Sequence, residues 1–146
     1  MKEIKGDIWD FHKRGYWIVI TTNGNVKVNG EAVMGKGIAL QAAKRFPDLP
    51  IHLGQRLETM GNRLNPFPNI SLFCFPTKWD WRDKSDLCLI AVSASQLVDY
   101  LTEAYISVKP SVYLPRPGCG NGQLDWKDVK PILEKYLDDR FVVVNR

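Results

Sequence analysis

Residues 16–46 read YWIVITTNGNVKVNGEAVMGKGIALQAAKRF. The stretch opens on Tyr16-Trp17-Ile18-Val19-Ile20, a β-branched and aromatic run with the length of a strand buried on both faces. Thr21-Thr22-Asn23-Gly24 follows as a turn signal. From Gly37 to Phe46 the segment is alanine-rich and helical in pattern, with Ile38, Leu40, Ala42 and Ala43 inside. Lys44 and Arg45 occupy its last turn, where cations meet the negative end of the helix dipole, and Pro47 stops it. A strand, a glycine-containing loop and a helix in that order form the repeating unit of an α/β sheet.

The rest of the chain extends the pattern. Ile70–Phe75 reads as a second strand ended by Pro76, and Ser111–Leu114 as a third closed by Pro115. Ser93-Ala94-Ser95-Gln96 has the form of a capping box, which predicts a helix from there to Ile106. Asp125 suits the N-cap of a helix from Trp126 to Leu137, although Pro131 lies inside it. Phe141–Val144 supplies a last strand. Asn62–Asn69 reads as a surface loop. No repeat, low-complexity tract or linker interrupts the chain, so one α/β domain over residues 1–146 is expected, with helices on both faces of the sheet.

Composition narrows the function. Of 146 residues, 45% are hydrophobic and 25% charged, the balance of a globular protein. A net charge of +4 leans only weakly toward polyanionic ligands. The three cysteines, Cys74, Cys88 and Cys119, form neither a CxxC pair nor a disulfide framework, which points to free thiols in the cytoplasm. His12 and His52 are too few and too scattered for a zinc site. The charged N-terminus is unlike a signal peptide, and no apolar run approaches the roughly 20 residues of a membrane span. No metal, cofactor or membrane is expected.

Three loops stand where α/β sheets bind ligands, after strands and before helices. In residues 21–37, Gly35-Lys36-Gly37 leaves backbone N–H groups unobstructed at a helix start, an arrangement suited to phosphate. It matches neither a P-loop nor a dinucleotide fingerprint. In residues 115–122, PRPGCGNG, Gly118, Gly120 and Gly122 permit close backbone approach to a ligand. The third loop, 76–81 (PTKWDW), sets Lys78 beside Trp79 and Trp81. Taken singly, each has a plainer reading: a turn, a solvated lysine, a half-buried aromatic stripe.

Together, Gly6-Asp7-Ile8, VMGKGIALQ at 33–41, FPTK at 75–78 and LPRPGCGNGQLDW at 114–126 resemble the macro domain family over nearly the whole chain. The resemblance implies a three-layer α/β/α fold with a mixed central sheet. It is nearest to the branch with terminal ADP-ribose glycohydrolases and DNA ADP-ribosyl glycohydrolase antitoxins, found in bacteria and among phage-encoded proteins. It implies that Asp7 accepts a hydrogen bond from the adenine amino group, with Ile8 beside the ring. Asn23 and the loop of Val33, Met34, Gly35, Lys36 and Gly37 would embrace the distal ribose and part of the pyrophosphate. Gly118, Cys119, Gly120, Asn121 and Gly122 would turn backbone N–H groups to the diphosphate, and Lys78 falls on the lysine that acts on the anomeric carbon.

Two departures stand out. Gly122 occupies the position of an acidic residue in the protein-directed glycohydrolases, a point at which the DNA-directed antitoxins are more similar. The first loop also carries an insertion, NGNVKVNGE. The expected function is ADP-ribose binding with hydrolysis of an ADP-ribosyl linkage on a macromolecule, single-stranded nucleic acid being a candidate partner. The alternatives are a non-catalytic ADP-ribose reader and an ADP-ribose 1″-phosphate phosphatase.

Overall fold

In a computed structural model describing all 146 residues, the Trp17–Thr22 strand lies in the middle of the sheet. In chain order the elements are β1 (Lys2–Lys5), α1 (Ile8–Lys13), β2 (Trp17–Thr22), α2 (Gly37–Arg45), α3 (Leu49–Met60) and β3 (Asn65–Phe67). Then come β4 (Leu72–Pro76), α4 (Leu87–Ala104), β5 (Val112–Leu114), α5 (Trp126–Glu134) and β6 (Phe141–Asn145). The spatial order is β1-β6-β5-β2-β4-β3. Every neighbouring pair is parallel except β3 with β4, so the sheet is mixed.

Alternation along the strands builds two cores. Trp17 and Val19 join Phe73, Phe75, Val112 and Phe141 on the face covered by α4 and α5. Ile18 and Ile20 join Leu72 and Cys74 on the other face, under α1, α2 and α3. A central strand with both faces apolar requires helices on both sides, which gives the three layers. Helix α4 has 18 residues and is apolar and long enough to cross a bilayer, unlike anything the sequence suggested. Its Leu89, Ile90, Ala94, Leu97 and Leu101 are buried in the core instead.

Several expected boundaries move. The helix read as opening at Ser93 begins six residues earlier at Leu87, because Asp86 caps it by accepting from the Cys88 and Leu89 N–H groups. Ser93 is interior, and its Oγ donates to Pro76 O at 2.8 Å. That helix ends at Ala104 rather than Ile106. Residues 62–69 are more than a loop: Asn65–Phe67 pairs with β4 as an edge strand, where Pro66 is tolerated and Phe67 is buried. Helix α5 ends at Glu134, three residues past Pro131, rather than at Leu137.

Candidate functional site

Strands β5, β2 and β4 are adjacent, so the loops leaving their carboxyl ends rise side by side. These are residues 23–36, 77–86 and 115–125. Together with the strand ends and the start of α2 they enclose a cavity of about 530 Å³.

Hydrogen bonds tie the loops to one another. Thr77 N–H donates to Thr22 O at 3.0 Å, and Gly24 N–H donates to Trp79 O at 3.2 Å. Asn25 Oδ1 accepts from Trp81 N–H at 2.6 Å, while its Nδ2 donates to Asp80 Oδ2 at 3.3 Å. Asn23 spans the base of the first loop, accepting from Asn25 N–H at 2.9 Å and donating to Val33 O at 3.1 Å. Residues 24–32 lie outside the cavity wall. They pack on α3, where Ala32 N–H donates to Pro50 O at 2.8 Å and a Cβ on Gly54 would collide with Gly30 O. The insertion therefore braces the loop that carries Trp79 and Trp81.

The glycine loop is held from the opposite side. Ser85 N–H donates to Gly122 O at 2.9 Å. Lys78 Nζ donates to Asn121 O at 3.2 Å and to Trp81 O at 3.4 Å. Gly118 and Gly120 both adopt positive φ, +78° and +69°, which L side chains resist. Their surroundings differ: a Cβ on Gly118 would meet Ile90 and Leu124 at 2.7 and 2.8 Å, whereas one on Gly120 would meet nothing within 4 Å. Gly118 packs against the core; Gly120 faces open space.

Charge is distributed unevenly. The cavity wall includes Lys36, Lys78 and Arg116 and no Asp or Glu. Lys36 is the N-cap of α2 and gives no side-chain capping bond, so the helix offers its first N–H groups uncapped beside Gly35 and Gly37. Free N–H groups and the helix dipole favour an anion there. A second cavity of about 460 Å³ shares Ile38, Pro115, Arg116, Cys119 and Gly120 with the first, and Asp7, Ile8, Gln41 and Arg146 lie on its wall. Asp7 caps α1, its Oδ1 accepting from Trp9 N–H at 3.0 Å, and its Oδ2 pairs with Arg146 at 3.1 Å. The Trp9 bond first, and the Arg146 charge beside it, hold the Asp7 carboxyl below the usual carboxylate range. Burial pushes the Cys119 thiol up, and the Cys74 thiol in the core up to about 12.

Of the residues singled out in the sequence, Lys78, Asn23, Val33, Met34 and Gly35 line the first cavity, with Lys36 and Gly37. Gly118, Cys119, Gly120, Asn121 and Gly122 complete that set. Asp7 and Ile8 lie apart, in the adjoining cavity. Met34 and Ile8 are also core residues, so each serves packing as well as the wall. The sequence reading passed over Thr22, Thr77, Ser85 and Arg116, which line the first cavity too. Arg116 stands within the PRPGCGNG motif, and its charge was the available signal; no pattern marked Ser85.

No family model matches the chain. It is 35% identical over 114 residues to the DNA ADP-ribosyl glycohydrolase of Mycobacterium tuberculosis, covering 70% of this chain and 31% of that protein. With the Thermus aquaticus protein of the same name it shares 32% identity over 120 residues, 76% of this chain and 32% of the relative. The chain thus spans about a third of the length of these relatives. The solved macrodomain of Thermus aquaticus DarG superposes with a TM-score of 0.74 at 29% identity, covering 99% of this chain and 97% of that one. The loop motifs, the sheet that presents them and these likenesses agree that the chain has the macro domain fold.

Proposed function

We propose that the chain binds ADP-ribose across the two joined cavities and hydrolyses an ADP-ribosyl linkage on a macromolecule. The observation that carries this reading is the polarity of the cleft. Asp7 stands at one end, cations and an uncapped helix start line the middle, and Lys78 lies beside the glycine loop at the other. A ligand with adenine, a diphosphate and a second ribose has matching chemistry in that order. The names of the curated relatives support hydrolysis of a linkage to DNA.

Residue roles follow the same order. Asp7 reads the adenine amino group and Ile8 supports the ring. The α2 start and the N–H groups of residues 118–122 hold the diphosphate, with Arg116 and Lys36 adding charge. Asn23 and the loop from Val33 frame the distal ribose. Lys78 has two carbonyl acceptors, Asn121 O and Trp81 O. They leave one direction on its nitrogen for the anomeric carbon or the departing group. Trp79 and Trp81, 58% and 46% exposed, offer stacking faces at the mouth beside Arg82, which supports single-stranded nucleic acid as the carrier. Free thiols at Cys74, Cys88 and Cys119 suit a cytoplasmic location.

The absence of a carboxylate from the Lys78 cavity favours one rival, a reader that binds ADP-ribose without cleaving it. Incubation with ADP-ribosylated single-stranded DNA, ADP-ribosylated protein and ADP-ribose 1″-phosphate separates the readings. Release of ADP-ribose from the DNA supports the proposal; binding with no turnover of any substrate supports the reader.

A further inference from the structure

Ser85 lies on the wall of the first cavity, near the end of the loop after β4 and against the glycine loop. It is 7% exposed, and its Oγ finds no hydrogen-bond partner within the protein. Buried hydroxyls are ordinarily paired, because leaving one unpaired costs stability. The surroundings nevertheless make room for this one. A Cβ on Gly122 would collide with Ser85 Oγ, and one on Gly118 would come within 3.2 Å of Ser85 Cβ. A side chain on residue 122 would therefore require Ser85 to shift.

The hydroxyl is not what holds the loops together. That task falls to the Ser85 backbone, whose N–H donates to Gly122 O, next to the Asn121 carbonyl that accepts from Lys78. Ser85 thus belongs to the Lys78 end of the cleft; Asp7 lines only the second cavity. Two bare α-carbons flank an unpaired donor and acceptor beside the cavity, and no group of the protein satisfies it.

We infer that Ser85 Oγ hydrogen-bonds the distal ribose of the ligand and fixes its presentation to Lys78. The inference rests on the cleft being an ADP-ribose site. Calorimetric titration of wild type and Ser85→Ala with ADP-ribose, and with ADP, which lacks the second ribose, tests both. Ser85→Ala should weaken ADP-ribose about 5- to 10-fold, the effect of one hydrogen bond, and leave ADP unchanged. Its melting temperature should stay level or rise, since a buried unpaired group has gone. Unchanged ADP-ribose affinity, or equal losses for both ligands, overturns the role of Ser85 while leaving the site assignment standing. A wild type that binds neither ligand overturns the site and this role together.

Discussion

Lys78 Nζ donates to the carbonyl oxygen of Asn121 at 3.2 Å, joining residues 43 positions apart in sequence. The bond anchors the lysine of one loop to the main chain of the glycine loop. Lysine flexibility is thereby restricted at the point where the proposed reaction needs a fixed nitrogen.

Lys78→Ala should abolish hydrolysis, by at least about a hundredfold, while changing ADP-ribose affinity by less than about threefold. Binding should come chiefly from backbone N–H groups and adenine, whereas the role proposed for Lys78 is on the transition state. Lys36→Ala should behave the other way, weakening binding more than turnover at saturating substrate. Single-turnover kinetics beside calorimetry reads both, and full activity in Lys78→Ala removes it from the mechanism.

Asp7 has two tasks, and two substitutions separate them. Asp7→Ala removes the cap of α1 and should cost about 1 kcal/mol of stability; Asp7→Asn should retain most of it. Both should weaken ADP-ribose far more than ribose 5-phosphate, because the role proposed for the carboxylate is contact with adenine alone. The folded carboxyl titrates below its unfolded value. Its charged form therefore stabilises the fold above about pH 4, and that contribution is lost as pH falls through the lower, folded value. Acid unfolding of Asp7→Asn should lack this part of the pH dependence.

The glycines should respond unequally. Gly35→Glu should fold normally, since a Cβ there meets nothing within 4 Å. Its carboxylate should abolish binding by repelling the diphosphate. Gly118→Val should fail to fold stably, because the new side chain strikes Ile90 and Leu124 at a positive φ. Circular dichroism with binding in parallel checks both; normal binding by a folded Gly35→Glu contradicts the phosphate assignment.

Asn25→Ala removes the acceptor for Trp81 N–H and the donor to Asp80. It should leave ADP-ribose affinity within about twofold and raise KM for ADP-ribosylated single-stranded DNA, because the stacking faces proposed for Trp79 and Trp81 would lose their support. Equal KM values for wild type and variant would separate the inserted loop from substrate recognition.

Local pattern made much of this legible. Ile18, Val19 and Ile20 announced a strand with two apolar faces, and Gly35-Lys36-Gly37 announced an open helix start. Local pattern also misled where a long-range partner decided the outcome. Ser93 looked like a cap but bonds to Pro76 O across the core, and Asn65 looked like a loop residue until β4 supplied its register. The clip from Asn25 to Trp81 links positions 56 residues apart, and nothing near either one signals it. Ser85 was illegible for the same reason: its neighbours Gly118 and Gly122 come from another loop.

The most direct test of the central claim is release of ADP-ribose from ADP-ribosylated single-stranded DNA by wild type and Lys78→Ala, with ADP-ribose binding measured on the same samples. Release by wild type alone, with both proteins binding ADP-ribose, is the predicted result. Failure of wild type to bind ADP-ribose, or equal release by the two proteins, would contradict it.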